Sequence, residues 1–265
     1  MNNYFFPFKE SLHSYTIPES FNDPFYYTPH PLCILAVEKL QHYLKTTSDL
    51  QHNFGINAGN PLAVHGKMFG VLVVQNDKNE LGFLIAFSGK LIGENDLSKF
   101  VPVVGEKDRD VGFLNSSMTG LTKLNQQIKL LQDQVDAINN QNLEQSKKLL
   151  IEINILKSER KERSKFIQQR IFEEYNFLNI LGESKSLLEI FQEKNNSLPP
   201  SGAGECAAPK LLQFAFESNL KPIAMAEFWW GKSRKSEDKM HGAYYPSCLD
   251  KCGPILAHML KGMDA

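Results

Sequence analysis

Three cysteines near the end of the chain carry its densest chemistry. Cys206 follows the turn-forming run Gly202-Ala203-Gly204-Glu205, and Cys248 and Cys252 bracket Leu249-Asp250-Lys251. Residues four apart lie on one face of a helix, so the last two thiols can address a single point. His241 precedes them by a short aromatic segment containing Tyr244-Tyr245-Pro246. Three sulfurs and one imidazole make a donor set for a tetrahedral structural zinc site. Zinc held by Cys206, His241, Cys248 and Cys252 is therefore the expected cofactor, tying the last two helices together. The competing reading makes Cys206 and Cys248 ordinary buried side chains, because the spacing is not that of a common zinc finger. Cys33 lies in an apolar helical segment and reads as core.

The order of elements around these cysteines resembles the zinc-dependent nucleobase deaminase fold: a hairpin, a helix opening on one thiol, a strand, then a helix with two thiols. In that family the first ligand precedes a catalytic Glu by two residues, and a Cys pair follows on the next helix. Here Cys206 matches the first ligand, but Ala208 stands where the Glu would be, and three residues rather than two separate Cys248 from Cys252. Loss of that Glu removes the group that moves protons between water and base. The resemblance thus implies a fold more than an activity. A zinc hydrolase acting on a nucleobase is the rival reading, with Glu205 and Glu227 as its candidate carboxylates.

Two other groups of residues bear on nucleic acid. The stretch from Lys157 to Lys165 carries Lys157, Arg160, Lys161, Arg163 and Lys165, interrupted by Glu159 and Glu162. A helical arm so charged could lie along an RNA phosphate backbone without reading sequence. The plainer reading is a solvated helix face with Glu–Lys pairs at helical spacing. Trp229 and Trp230, at the end of an apolar run, could stack on bases; as core or interface anchors they need no ligand. Gly202-Ala203-Gly204 lacks the residues that complete a phosphate loop.

The elements that must position these residues fall into segments. Residues 1–31 form an arm rich in proline and aromatics, from Pro7 to Pro31, which forbids a helix and favours an extended path packed onto something. Pro31 opens a helix at the position that tolerates a missing N–H. Met68–Val74 and Leu81–Phe87 are apolar runs joined by a polar turn, a β-hairpin buried on both faces. Residues 32–119 are the first part of an α+β domain. From Leu121, the apolar positions Leu124, Ile128, Leu131, Val135 and Ile138 keep a heptad spacing that resumes at Leu149, Ile153 and Leu156. Residues 120–197 are read as a coiled-coil helical insertion. A single helix there would reach on the order of 90 Å, so a hairpin turning at Asn139-Asn140-Gln141-Asn142 is the more economical form. Its partner is the chain's own second arm or, in a homodimer, another subunit. Residues 198–265 complete the domain with a helix from Cys206, a strand from Pro222 to Trp230 and a last helix near Lys251–Lys261. The expected fold is α+β: a mixed sheet with flanking helices, deaminase-like in topology and interrupted by the helical insertion.

Composition narrows the function classes. With 42% hydrophobic residues the chain can bury one or two cores. A net charge of −1 argues against protein-wide attraction to nucleic acid, so RNA contact would be local. No apolar run approaches a membrane span, the first residues lack the features of a secretory signal, and four cysteines are too few for a disulfide scaffold. A cytoplasmic protein is expected.

The strings from Pro199 to Leu212, from Ala224 to Gly231 and from His241 to Leu256 are similar to the region preceding the catalytic domain in long RluA-type pseudouridine synthases. The hairpin strings Phe69–Asn76 and Ala86–Leu91 are similar too, so the resemblance spans nearly the whole chain. It implies an enzyme family that isomerises uridine in structured RNA, rRNA or tRNA, without a cofactor, through an aspartate in an Arg-Leu-Asp motif. No such motif occurs here, and Leu249-Asp250 follows a cysteine instead. The chain ends at Ala265, about where that catalytic domain would begin. The implied role is a non-catalytic accessory region, a fragment of a longer enzyme or a protein without that domain, that aids RNA engagement or gives structural support. A coiled-coil oligomerisation module is a further alternative.

Overall fold

The computed structural model describes residues 4–26, 28–56, 65–91, 95–105, 111–138, 142–233 and 238–263. It divides into an α+β unit, Met1–Glu106 with Tyr175–Ala265, and a helical unit, Lys107–Glu174.

The α+β unit is built on the hairpin of β2 (Lys67–Gln75) and β3 (Leu81–Phe87), paired from Phe69↔Phe87 to Gln75↔Leu81. Asn76 shapes its turn by accepting from the N–H groups of Lys78 and Glu80, and Asn79 takes the left-handed conformation that such turns require. β6 (Lys221–Trp230) pairs with the other side of β2, and β1 (Phe6–Pro7) with the outer side of β3, in the order β1-β3-β2-β6. Every described pairing in this sheet is antiparallel, which corrects the expected mixed sheet. β3 and β6 run the same way, but β2 lies between them, so no parallel neighbours meet.

Strand alternation divides the sheet between two helices. Phe69, Val71, Val73, Phe83, Ile85, Phe87 and Phe228 form one core with Leu32, Cys33, Ala36, Val37 and Leu40 of α1 (Pro31–Thr46). Pro31 starts that helix, and the His30 ring accepts the Leu32 N–H as its cap. Cys33 is fully buried there, as expected. The opposite face receives α5 (Ala207–Glu217), whose Leu211 and Ala207 come up to Gly70. Burial on both faces accounts for the uninterrupted apolar runs.

The aromatic arm closes both edges of the sheet. Phe6 stacks on Phe83 at the β3 edge, where a proline is tolerated because no partner awaits its missing N–H. At the β6 edge the Asn22 amide donates to the Met225 carbonyl and accepts the Met225 N–H. Beyond Met225, Gly242–Tyr245 continues the cover, with Trp229 donating to Ala243 and Tyr245 to Glu227.

Residues 175–197, read from sequence as the end of the helical insertion, belong instead to the α+β unit. They form β4 (Asn176–Leu178), β5 (Ser184–Ser186) and α4 (Leu187–Asn195). Buried Asn179 folds the turn by accepting from Leu181 and Glu183, and Ser186 with Glu189 makes a capping box that restarts a helix. α6 (Gly253–Met259) is shorter than the sequence suggests.

In the helical unit, α2 (Val111–Ile138) and α3 (Leu143–Glu174) run antiparallel, with Phe113 against Phe166 and Arg160 bonded to Asn125. Leu124 and Ile153 of the expected seam are buried, and Leu121, Ile128, Leu131, Val135, Ile138, Leu149 and Leu156 are half-buried. Of the expected turn, Asn139, Asn140 and Gln141 lie outside the described residues, while Asn142 accepts the Gln145 N–H at the start of α3. No described helix is long and apolar enough to cross a membrane.

The approach of α5 to β2 depends on the missing side chain of Gly70. A Cβ there would lie 3.0 Å from Leu211 Cδ1 and 3.1 Å from the Ala207 methyl. Gly70→Ala is expected to cost about 1–3 kcal/mol by overpacking, measured as a lower denaturant midpoint; an unchanged midpoint would show that α5 can retreat freely.

Candidate metal centre

Two glycines deliver the first thiol. Gly202 and Gly204 hold positive φ, at +76° and +85°, and the chain turns through them to place Cys206 as the N-cap of α5. Lys210, one turn on and buried, donates to the carbonyls of Phe87 at 2.8 Å and Gly89 at 3.2 Å. The Gly89 N–H in turn donates to the Glu205 carbonyl. The start of α5 is thereby fastened to the end of β3.

Cys248 and Cys252 lie on the turn that leads into α6, where the Cys252 N–H donates to the Cys248 carbonyl and Cys252 caps the helix. The ligand atoms of Cys206, Cys248 and Cys252 all lie within 4.8 Å of one another, and the Cys248 and Cys252 sulfurs are 3.4 Å apart. All three are free thiols. They lie close enough to hold a metal ion. Hydrogen bonds from Cys206 and Cys252 hold the exposed Cys248 as the thiolate, lowered to about 2. The Cys206 thiol, bonded to Cys248, is pushed up to about 12, and that of Cys252 rises through its bonds to both and its burial. One negative charge thus serves three sulfurs, an arrangement that a thiophilic cation would suit.

His241 is not in this group. Its Nδ1 accepts the Gly231 N–H at 2.8 Å, and its ring packs on Trp230 with centroids 4.3 Å apart. That bond fixes the neutral tautomer, and desolvation, then Lys45, keeps the imidazole below its usual range. Among the described residues no fourth His, Cys, Asp or Glu joins the three cysteines. The sequence gives no sign of this, because Gly231 lies ten residues from His241 and meets it only through the bend after β6.

The thiols open on a cavity of about 370 Å³ that also has Glu227, Glu205, Trp229, Lys67, Lys239 and Lys251 in its wall. Glu227 projects from β6 and is buried; its Oε2 accepts from Ser247 Oγ, and the Ala208 N–H donates to its carboxylate. A carboxylate from the sheet thus reaches the backbone in the first turn of α5. Desolvation raises the Glu227 carboxyl to about 7, against the lowering effect of Ser247. Glu205, the other candidate, accepts from the Tyr175 hydroxyl at 3.3 Å.

Of the residues read as RNA contacts, Trp229 alone is in the wall of this cavity. Lys157, Arg160, Lys161, Arg163 and Lys165 are exposed on α3, where Arg163 pairs with Glu159 and Lys165 with Glu162. Trp229 is 5% exposed, and its indole donates to the Gly231 carbonyl; Trp230 is 2% exposed and packs on Phe228. Neither ring lies open on the surface as a stacking platform.

No family model, no curated protein and no solved structure matches this chain.

A carboxyl raised in the folded state favours folding fully below its unfolded value of 4.5 and loses that contribution as pH rises through about 7. Metal-free protein should therefore lose stability from about pH 5 to 7 through Glu227. Glu227→Gln should flatten the loss, as read by urea midpoints across that range; an equal slope in both proteins would assign the loss elsewhere.

Proposed function

We propose that this chain is a zinc-bearing, non-catalytic accessory module of an RluA-type RNA pseudouridine synthase, and that it helps the enzyme engage structured RNA. The observation that carries this reading is the convergence of its most specific strings on one site. Cys206 from the Pro199–Leu212 string, Glu227 and Trp229 from Ala224–Gly231, and Cys248 with Cys252 from His241–Leu256 line the same cavity. A metal on the three thiols would link the start of α5 to the turn before α6, two segments separated in sequence by β6. The exposed cations of the helical unit supply a local basic surface on a nearly neutral chain, the form that sequence-independent RNA contact requires. In this reading α2 and α3 are the two arms of a coiled-coil hairpin.

One observation favours a second reading, a nucleobase deaminase-like hydrolase. It is the placing of Glu227, a strand carboxylate bonded to Ala208, beside the Cys206 start of α5, which supports a deaminase-like site whose carboxylate comes from the sheet. Release of ammonia from cytidine or adenosine by the zinc-loaded chain would establish that reading over the first.

Protein purified without added metal or a histidine tag is expected to carry about one zinc per chain by elemental analysis. Cys252→Ala should abolish that zinc and cost more stability than a surface substitution, by at least about 2 kcal/mol. Wild type that carries no metal as purified, and whose melting temperature Cys252→Ala leaves unchanged, would remove zinc from the account.

Structured rRNA and tRNA fragments should bind the chain with a salt-dependent Kd. Replacing Lys157, Arg160 and Lys161 together by Ala should weaken binding by about tenfold and lower the slope of log K against log salt by about 2–3. Unaltered binding by fluorescence anisotropy would leave these residues as a solvated helix face.

A further inference from the structure

The sequence points to a closed zinc site, with His241 as its fourth ligand. The geometry gives a different coordination. The three sulfurs converge on one side of the cavity, whereas His241 spends Nδ1 on the Gly231 N–H and its ring face on Trp230. Structural zinc sites fill four positions with protein ligands, while sites with three protein ligands leave the fourth to water or substrate. With no fourth donor among the described residues, that position is left to the cavity the thiols line, whose wall includes Glu227.

Glu227 adds a buried carboxylate to that wall. A carboxylate in an apolar strand costs free energy unless it is bonded, and β6 neighbours at its alternate positions, Met225 and Trp229, need no charge beside them. Ser247 Oγ and the Ala208 N–H orient it. Lys67, Lys239 and Lys251 around the cavity offset the negative charge of thiolates and carboxylates.

We infer that the three-cysteine centre is an open, exchangeable coordination site: the cavity takes a small heterocycle that places one ring nitrogen on the metal and donates a neighbouring N–H to Glu227. The cavity of about 370 Å³ is at the small end of ligand pockets, which suits one ring with a short substituent. Lys239 and Lys251 at its margin fit an anionic substituent on that ring. The inference rests on the metal-bearing reading above, and it replaces the closed Cys3His centre with a site that binds a ligand.

The test uses the full chain loaded with Co²⁺ in place of zinc, with imidazole and azide as probes and the visible ligand-field bands as the readout. Imidazole brings both a ring nitrogen and an N–H; azide brings only lone pairs and a negative charge. Both probes should shift the bands saturably. Glu227→Gln should weaken imidazole about tenfold, because a charge-assisted hydrogen bond becomes a neutral one, and should tighten azide by removing a like charge. His241→Ala should leave cobalt stoichiometry and bands as in the wild type. Bands insensitive to both probes, or cobalt lost in His241→Ala, would overturn the open site while leaving a metal centre in place. Equal effects of Glu227→Gln on the two probes would remove Glu227 from the site. A chain that takes up neither cobalt nor zinc would defeat the metal reading itself and the inference with it.

Discussion

The close packing of α5 against β2 is the constraint on which the site depends. Gly70 lets the helix backbone approach the sheet, and Ala207 and Leu211 fill the space its side chain would occupy. Because Cys206 is the N-cap of that helix, the docking of α5 places its backbone. Lys210 adds a polar fastening in a place where a lysine is ordinarily too costly to bury. Its ammonium is bonded to two carbonyls at the end of β3, which offsets that cost and fixes the rotation of α5 about its own axis. The position of one thiol is thus decided by packing contacts from residues with no metal-binding chemistry of their own.

β6 has a comparable place on the other side of the site. Its outer edge is covered by a side chain and by a short segment that bridges to it at Phe228–Tyr244. Asn22 imitates a strand at Met225 by offering one donor and one acceptor. Gly242 to Tyr245 complete the cover and carry the chain on to Ser247 and Cys248. The sequence order 227, 247, 248 therefore becomes a spatial neighbourhood, with Ser247 Oγ on Glu227 and Cys248 on the same cavity. An exposed strand edge invites association; here covering the edge is also what brings the thiol pair to the first cysteine.

Much of this was legible in the sequence, and what was missed has physical causes. Apolar runs of strand length, Pro31 at a helix start and the breaker cluster before Cys206 each encode local structure, and each element formed where its residues suggest. Cys248 and Cys252 were readable as a pair because four-residue spacing is a local geometric fact. His241 was not readable, since whether its ring turns to the thiols or to Gly231 depends on a bend after β6 that no local pattern encodes. Glu227 was visible as a carboxylate, but its burial against Ala208 follows from strand register, which only the folded sheet sets. The stretch from Tyr175 to Asn195 reads as more of the helical insertion because it lacks proline and has one glycine. Its breakers are side-chain devices, Asn179 in the turn and Ser186 with Glu189 at the cap, that compete with a helix by hydrogen bonding.

Three cysteine sulfurs gathered within 4.8 Å of one another are not a neutral packing choice. A buried cysteine behaves as a small apolar side chain, and three such side chains need no mutual hydrogen bonds. Here hydrogen bonds from Cys206 and Cys252 favour the thiolate of Cys248, and the same bonds, with burial, raise the other two thiols. The sulfurs at 3.4 Å between Cys248 and Cys252 are in contact but not joined. A divalent cation would reverse the balance, since it favours the thiolate at every sulfur and releases the remaining protons on binding. The folding energy spent on bringing three sulfurs together then becomes preorganisation for the ion. The same convergence leaves Glu227, already desolvated and held by Ser247 and Ala208, facing whatever shares the cavity with it.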